Sequence, residues 1–283
     1  VKGIEQLSLG WRTHLMFPRF DAQVLPQADH ITVRTPHNPG FWWGNFLLYD
    51  RAPREGDAAA WIAAFDAEIG QQQPESAHCT FGIEGPADFA LPADFAAAGF
   101  TKERSTILVL QPDMLDPALP PLPRDLRVRV AELPGRTPEL LDLQVATDEG
   151  AHPVDGYRLF RERQMQRYAA MQDAGLGHWF GVFARTPQGE QLVADCGLFR
   201  PRRGGGGTAR FQNVGTHPDW RRRGIATALV HAVCRHGFRV MRDDTLVIAA
   251  DPLNPAIRLY EAIGFEHDHD IATLVRKPPA AAA

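Results

Sequence analysis

The stretch Val214-Gly215-Thr216-His217-Pro218-Asp219-Trp220-Arg221-Arg222-Arg223-Gly224-Ile225-Ala226 decides how this chain is read. An apolar strand ends, a basic turn follows, and a helix begins. The turn contains one glycine, Gly224, immediately before the helix. A helix N-terminus exposes unpaired N–H groups and the positive end of the dipole, so an anion fits there. Glycine removes a Cβ from the point of closest approach. The flanking arginines add charge-assisted hydrogen bonds. A solvated arginine cluster before an ordinary helix is the competing reading of the same residues.

A second segment lies thirty residues beyond Gly224: Asn254-Pro255-Ala256-Ile257-Arg258-Leu259-Tyr260-Glu261-Ala262-Ile263-Gly264-Phe265. Asn254 suits an N-cap, Pro255 the first helical position and Gly264 the left-handed residue that stops a helix. Tyr260 falls on a face that can meet a sheet, where it is either a reactive hydroxyl or a core tyrosine. Between the two segments, Ile225/Ala226, Leu229/Val230 and Val233/Cys234 recur every four residues, which predicts an amphipathic helix over 224–238. Leu246–Ala250 reads as a buried strand. Upstream, strands are expected over 126–130, 179–184, 191–199 and 211–216, and helices over 138–147 and 157–173. Downstream, a helix is expected over 255–263 and a closing strand over 271–275. The glycine run Gly204 to Gly207 suits a hairpin connection. That order predicts an α/β (α+β) fold, a mixed and mostly antiparallel sheet flanked by helices.

Taken together the two segments resemble the GNAT superfamily of acyl-CoA-dependent N-acyltransferases. The family's Gln/Arg-x-x-Gly-x-Gly/Ala loop is matched by Arg221-Arg222-Arg223-Gly224-Ile225-Ala226. Its later Asn/Leu-Tyr/Gly-Phe pattern is matched by Asn254, Leu259-Tyr260 and Gly264-Phe265, with Ala256 one place early. The resemblance implies acetyl-CoA as cosubstrate, an amine acceptor (small molecule or peptide), and direct transfer without a metal. It implies that the backbone of Val214, Gly215 and Thr216 pairs with the pantetheine arm. It implies that Arg221, Arg222, Arg223, Gly224, Ile225, Ala226 and Thr227 hold the pyrophosphate. Asn254 contacts the cofactor, and Tyr260 protonates the departing thiolate. A glutamate base expected on the strand before the loop is replaced by Gln212, leaving Asp195 and His217 as candidates. A non-catalytic acyl-CoA binder and an enzyme for longer acyl chains are the alternatives.

The first half echoes these patterns. Phe46–Tyr49 reads as a strand and Ala58–Ile69 as a helix. Asp94-Phe95-Ala96-Ala97-Ala98-Gly99-Phe100 imitates Leu259–Phe265, with Phe95 in the place of Tyr260. Aligning Gly56 with Gly224 sets Pro53 against Arg221 and places Glu55 and Asp57 where an anion would sit. A degenerate GNAT-like copy that binds no CoA follows, in a layout similar to mycothiol synthase. Five prolines in Gln111–Pro123 predict an extended linker between domains 1–120 and 125–277, and the tail from Lys277 is expected to fray.

The net charge of −4 divides into −7 for residues 1–120 (8 Lys/Arg, 15 Asp/Glu) and +3 for the remainder. Neither half has the basic field of a nucleic-acid binder. No apolar run is long enough to span a bilayer, and the first residues do not read as a signal peptide. A cytoplasmic protein is expected, a monomer rather than a homodimer. Cys79, Cys196 and Cys234 lack paired spacing, so neither disulfides nor a zinc site is expected. His267 and His269 share a strand face without a third spaced ligand, and read as a solvated edge.

Overall fold

The computed structural model describes residues 1–118, 122–187 and 189–278. Leu119–Pro121 of the proline-rich stretch and the alanine tail lie outside them. The chain forms two compact units, residues 1–107 with 269–283, and residues 108–268.

The second unit begins with β6 (Leu126–Val130), α5 (Thr137–Asp148) and α6 (Val154–Asp173). It continues through β7 (Gly177–Thr186), β8 (Gly189–Phe199), β9 (Thr208–Thr216), α7 (Ile225–His236), β10 (Thr245–Ala250) and α8 (Ala256–Ile263). Strands β6, β7, β8 and β9 pair antiparallel in sequence order, and β10 pairs parallel to β9. The parallel pair is required by α7, which crosses from the end of one strand to the start of the next. One face of α7 is buried through Ile225, Leu229, Val230, Val233 and Cys234. These join Leu198, Leu246 and Ile263 in the core of the unit. Each such side chain contributes roughly 1.5–3 kcal/mol on burial, so this face anchors the helix start. The helix expected over 224–238 ends at His236 and runs into a π turn, Gly237–Met241.

The first unit holds α1 (Leu9–Leu15), α2 (Pro18–Asp21), β1 (Gln23–Pro26), β2 (His30–Arg34) and β3 (Phe46–Tyr49). Then come α3 (Ala58–Phe65), β4 (Cys79–Ile83), α4 (Ala93–Ala97) and the first residues of β5 (Thr101–Leu110), whose last three belong to the second unit. The order from α1 to α4 repeats that from α5 to α8, and so does the pairing: β1/β2 and β2/β3 antiparallel, β3/β4 parallel. Its core is aromatic, with Tyr49 stacked on Trp61 at 3.6 Å and Phe81, Phe95 and Phe100 around them.

The sequence puts its boundary in the linker, whereas the compact units part at 107/108 and 268/269. The last strand accounts for this. β11 (Glu266–Arg276) pairs antiparallel with β4, from Ala272↔Ile83 to Arg276↔Cys79. The visible part of the proline stretch is not a free spacer either. Asp116 N–H donates to the Ile263 carbonyl at 3.0 Å, and the Asp116 carbonyl lies 3.0 Å from His231 Nε2. Among the described residues, no helix is long and apolar enough to cross a membrane, and no group of three or more His, Cys, Asp or Glu could hold a metal.

Candidate active site

Strands β9 and β10 part company as they rise toward the loop. Their ladder runs from Thr208↔Thr245 to Arg210↔Val247 and stops, while β9 continues to Thr216 and β10 to Ala250. A parallel pair that separates leaves an edge able to accept an extended ligand.

On its other side β9 carries a bulge. Asp195 faces Gly215 and Gly197 faces Gln212, so three steps along β9 answer two along β8. Asn213 takes the left-handed conformation, φ 46°, that accommodates the extra residue. Beyond the bulge, Thr216 Oγ1 is buried without a hydrogen-bond partner.

After β9, the His217 N–H donates to Val193 at 2.9 Å and Pro218–Trp220 form a single helical turn. Arg222 (φ 59°) and Gly224 (φ 73°) are both left-handed. No side chain caps α7, whose first ladder bond is Ala228 N–H to Gly224 O at 3.0 Å. The amides of Ile225, Ala226 and Thr227 therefore precede the ladder. A Cβ on Gly224 would meet nothing within 4 Å. Glycine is needed here for its φ, and the space beside it is open to a ligand rather than filled by protein.

The three arginines divide. Arg221 Nη1 pairs with Glu149 at 2.8 Å and its Nε donates to the Thr216 carbonyl. Arg223 lies over the Trp220 ring at 4.8 Å and donates to the Asp219 carbonyl. Arg222 is exposed and has no partner among the described residues. The Ile225 side chain turns into the core, leaving only its backbone for a ligand. Asn254 is exposed, and its Oδ1 accepts from Ala256 N–H at 2.9 Å, so it caps α8, which starts one residue later than expected.

Tyr260 is buried in the core and rests edge-on against Phe265, with ring centroids 6.1 Å apart. Its hydroxyl has no partner among the described residues. Burial, with a smaller push from Cys196, raises its pKa, so the phenol stays protonated near neutral pH.

The two base candidates are both engaged. His217 Nδ1 accepts from Asp219 N–H at 3.3 Å. Asp195 is fully buried and accepts from Gln144 Nε2 (2.8 Å), Trp179 Nε1 (3.1 Å) and Asn213 Nδ2 (3.2 Å). Burial pushes its pKa up to about 6, against the opposing pull of Gln144 and Arg161. Gln212 Oε1 accepts from the Tyr168 hydroxyl at 3.0 Å. Arg161, Gln144 and Trp179 escape a reading of the sequence, because α6 is charged along its length and nothing local marks Arg161 as buried. A groove of about 580 Å³ lined by Pro112, His231, Arg235 and Phe238 lies along the second half of α7, away from Gly224.

The profile of the acetyltransferase (GNAT) family matches residues 137–265, the span that holds the parted strands, the open helix start and Tyr260. Residues 137–265 are a GNAT domain. A GCN5-related N-acetyltransferase from Kribbella flavida has a similar fold, with 15% identity, TM-score 0.62, and coverage of 95% of this chain and 94% of that one. A tandem GNAT protein from the clavulanic acid biosynthesis pathway aligns over 96% of this chain and 89% of its own, with 15% identity and TM-score 0.58. A functionally unknown conserved protein from Staphylococcus epidermidis covers 92% of this chain and 96% of its own, with 14% identity and TM-score 0.66. No curated protein matches the sequence. These likenesses of fold run across both units.

Proposed function

We propose that the chain moves an acetyl group from acetyl-CoA to a small-molecule or peptide amine within a ternary complex, acting as a monomer. The supporting observation is the combination, in one GNAT domain, of parted β9 and β10 with an uncapped helix start at Gly224. The pantetheine arm lies along β9 at Val214–Thr216, and the Thr216 hydroxyl gains a partner. The pyrophosphate takes the amides of Gly224–Thr227, with Arg222 as the uncommitted cation and Arg221 and Arg223 flanking it. Asn254 serves the cofactor arm from its cap.

The reaction needs no covalent enzyme intermediate. The amine nitrogen attacks the thioester carbonyl, the C–S bond breaks, the nitrogen loses one proton and the thiolate gains one. A backbone N–H of the bulged strand, at Val214, faces the developing oxyanion. Tyr260 donates a hydrogen bond to the departing sulfur. Even with reference pKa values of ~10 for a phenol and ~8.5 for a thiol, complete transfer is uphill by ~2 kcal/mol, and the burial that raises the Tyr260 pKa adds to this. The hydrogen bond therefore forms as charge develops and the proton follows. An amine of pKa ~10 must lose its proton at a cost of ~4 kcal/mol at pH 7. Asp195 is enclosed by its three donors and His217 Nδ1 is engaged by the Asp219 N–H, and the amine enters the reaction as its free base.

The test is acetyl-CoA with a panel of amines, scored by free thiol and by the mass of the acetylated product. Tyr260→Phe should lower kcat by ~10²–10⁴ and leave acetyl-CoA affinity within about twofold. Binding without amine-dependent thiol release would establish a non-catalytic acyl-CoA binder. Larger thermal shifts with longer acyl-CoAs would move the donor away from acetyl.

A further inference from the structure

The bulge on β9 rests on a buried chain of polar side chains that the proposed chemistry does not use. It begins on α6 with Arg161, about nine-tenths buried, whose Nε donates to Gln144 Oε1 at 2.8 Å and Nη1 to Gln164 Oε1 at 2.7 Å. Gln144 passes the interaction on from α5, donating Nε2 to Asp195 at 2.8 Å. Asp195 in turn receives Asn213, the left-handed residue of the bulge, at 3.2 and 3.3 Å. Gly215 completes the contact, since a Cβ there would stand 2.9 Å from Asp195 Oδ1.

Arg161 Nη2 is buried without a partner, so the guanidinium has no carboxylate in direct contact and its counter-charge sits at Asp195, one amide away. Gln144 can serve both neighbours only with its oxygen toward Arg161 and its nitrogen toward Asp195. That orientation makes Asp195 an acceptor on every side, which a carboxylate satisfies and a carboxylic acid does not.

We propose that Asp195 is a positioning residue for the transfer reaction: its carboxylate holds Asn213, and so fixes the bulge that aims the backbone N–H of Val214 at the thioester. This rests on the GNAT reading of β9. Protonation of Asp195 turns one acceptor oxygen into a donor facing Gln144, Trp179 or Asn213, and the bulge loses a restraint. Burial has raised the Asp195 pKa to about 6, so the restraint is complete above that pH and lost below it. Arg161 on α6 is the charged group that acts on Asp195; Asp195 in turn acts on Tyr157 of α6 and on its strand neighbour Cys196, whose thiol burial keeps protonated. Asp148 on α5 acts on Tyr157.

The experiment compares the full-length wild type with Asp195→Asn. In Asp195→Asn the amide oxygen can still serve Gln144 and Trp179, which donate to one and the same carboxylate oxygen, and its NH2 then meets the Asn213 amide donor to donor. With saturating acceptor, wild-type kcat should fall on acidification with a midpoint near pH 6. Asp195→Asn should lower kcat by ~10- to 100-fold at pH 7.5, a misplacement-sized effect, with KM for acetyl-CoA within about twofold. A folded Asp195→Asn that keeps the wild-type kcat at pH 7.5 overturns the proposal. A second readout needs no turnover: the amide NMR signals of Asn213, Val214 and Gly215 should titrate together near pH 6 in wild type and not in Asp195→Asn. Signals that stay still overturn the positioning role. Absence of turnover with every amine overturns the acetyltransfer reading alone.

Discussion

Two helix starts in this chain share a glycine and a strand–loop–helix setting, and they treat their backbone amides in opposite ways. At α7, Gly224 (φ 73°) precedes a helix with no side-chain cap, and Arg222 beside it is uncommitted. At α3, Gly56 (φ 92°) opens a loop already satisfied from within. The Asp94 carboxylate accepts from Gly56 N–H at 3.0 Å and Ala58 N–H at 2.9 Å. Glu55 does the same at α4, accepting from Ala93 and Asp94 N–H at 2.9 and 3.2 Å. The acids expected to repel an anion at this loop, Glu55 and Asp57, are occupied elsewhere, Asp57 with Arg51 at 2.5 Å. A third acid, Asp94, sits where the anion would. The first unit thus keeps a glycine-led helix start and fills it with its own carboxylate.

The helix ends repeat the comparison with less divergence. Phe100 N–H donates to Phe95 O and Phe265 N–H to Tyr260 O, both at 3.0 Å, across left-handed Gly99 and Gly264. Their surroundings differ. A Cβ at Gly264 would lie 2.0 Å from the Met114 carbonyl oxygen, whereas one at Gly99 finds only the Arg276 side chain at 3.9 Å. Gly264→Ala should therefore displace backbone and cost ~4 kcal/mol or more, the range of exceptional core lesions. Gly99→Ala should cost only the ~1–2 kcal/mol of an L-residue in the left-handed region. Chemical denaturation of the two variants checks this. Equal losses would show that the Met114 contact yields freely.

The second test acts on the helix starts. Gly224→Glu puts a negative charge where the pyrophosphate is proposed to bind, and acetyl-CoA affinity should fall ~100-fold or more, since like charges in a shared site oppose binding. Gly224→Asn, which tolerates positive φ, should hold affinity within ~10-fold and so separate charge from backbone strain. Gly56→Glu should leave affinity unchanged. Calorimetry on folded variants decides. A Gly56→Glu loss matching that of Gly224→Glu would end the distinction between the two loops.

How much of this was open to a reader of the sequence depends on the range of the interaction. Phe46–Tyr49 and Leu126–Val130 are strands over the residues their apolar pattern marks. The buried stripe of α7 follows from four-residue spacing, because side chain and face are set within one helix. The partner of β11 was not legible. Ile271–Val275 reads as a strand, yet the alternation is the same whichever strand it pairs with, and nothing in it points to β4. The Ala58–Ile69 helix narrows to α3 plus a π turn, Asp66–Gly70, a change of hydrogen-bond register invisible to periodicity. At the site, the open helix start was legible from Arg221–Ala226. The commitment of Arg221 to Glu149, 72 residues away, was not. The burial of Arg161 was equally hidden, since an arginine looks the same in sequence whether it faces water or Gln144.

The smallest expected effect probes why the first loop is closed. Asp94→Ala removes the carboxylate from the amides of Gly56 and Ala58 and from Phe95 N–H, which it meets at 2.9 Å. Loss of a capping acid costs ~1 kcal/mol, and Asp94 is only half-buried, so a drop of ~1–2 kcal/mol in stability is expected. The open helix start then becomes an anion site of the ordinary kind, and inorganic phosphate or sulfate should raise the Tm of the variant more than that of wild type. Acetyl-CoA should still not bind there. Pro53 stands where the loop before α7 has Arg221, and Glu55 loses two backbone donors only if α4 frays, so its charge stays close by. The stoichiometry of acetyl-CoA on Asp94→Ala should therefore remain one per chain. A second equivalent bound would mean that the Asp94 carboxylate alone had silenced the first unit. No extra stabilisation by phosphate would mean that its helix start was never an anion site in waiting.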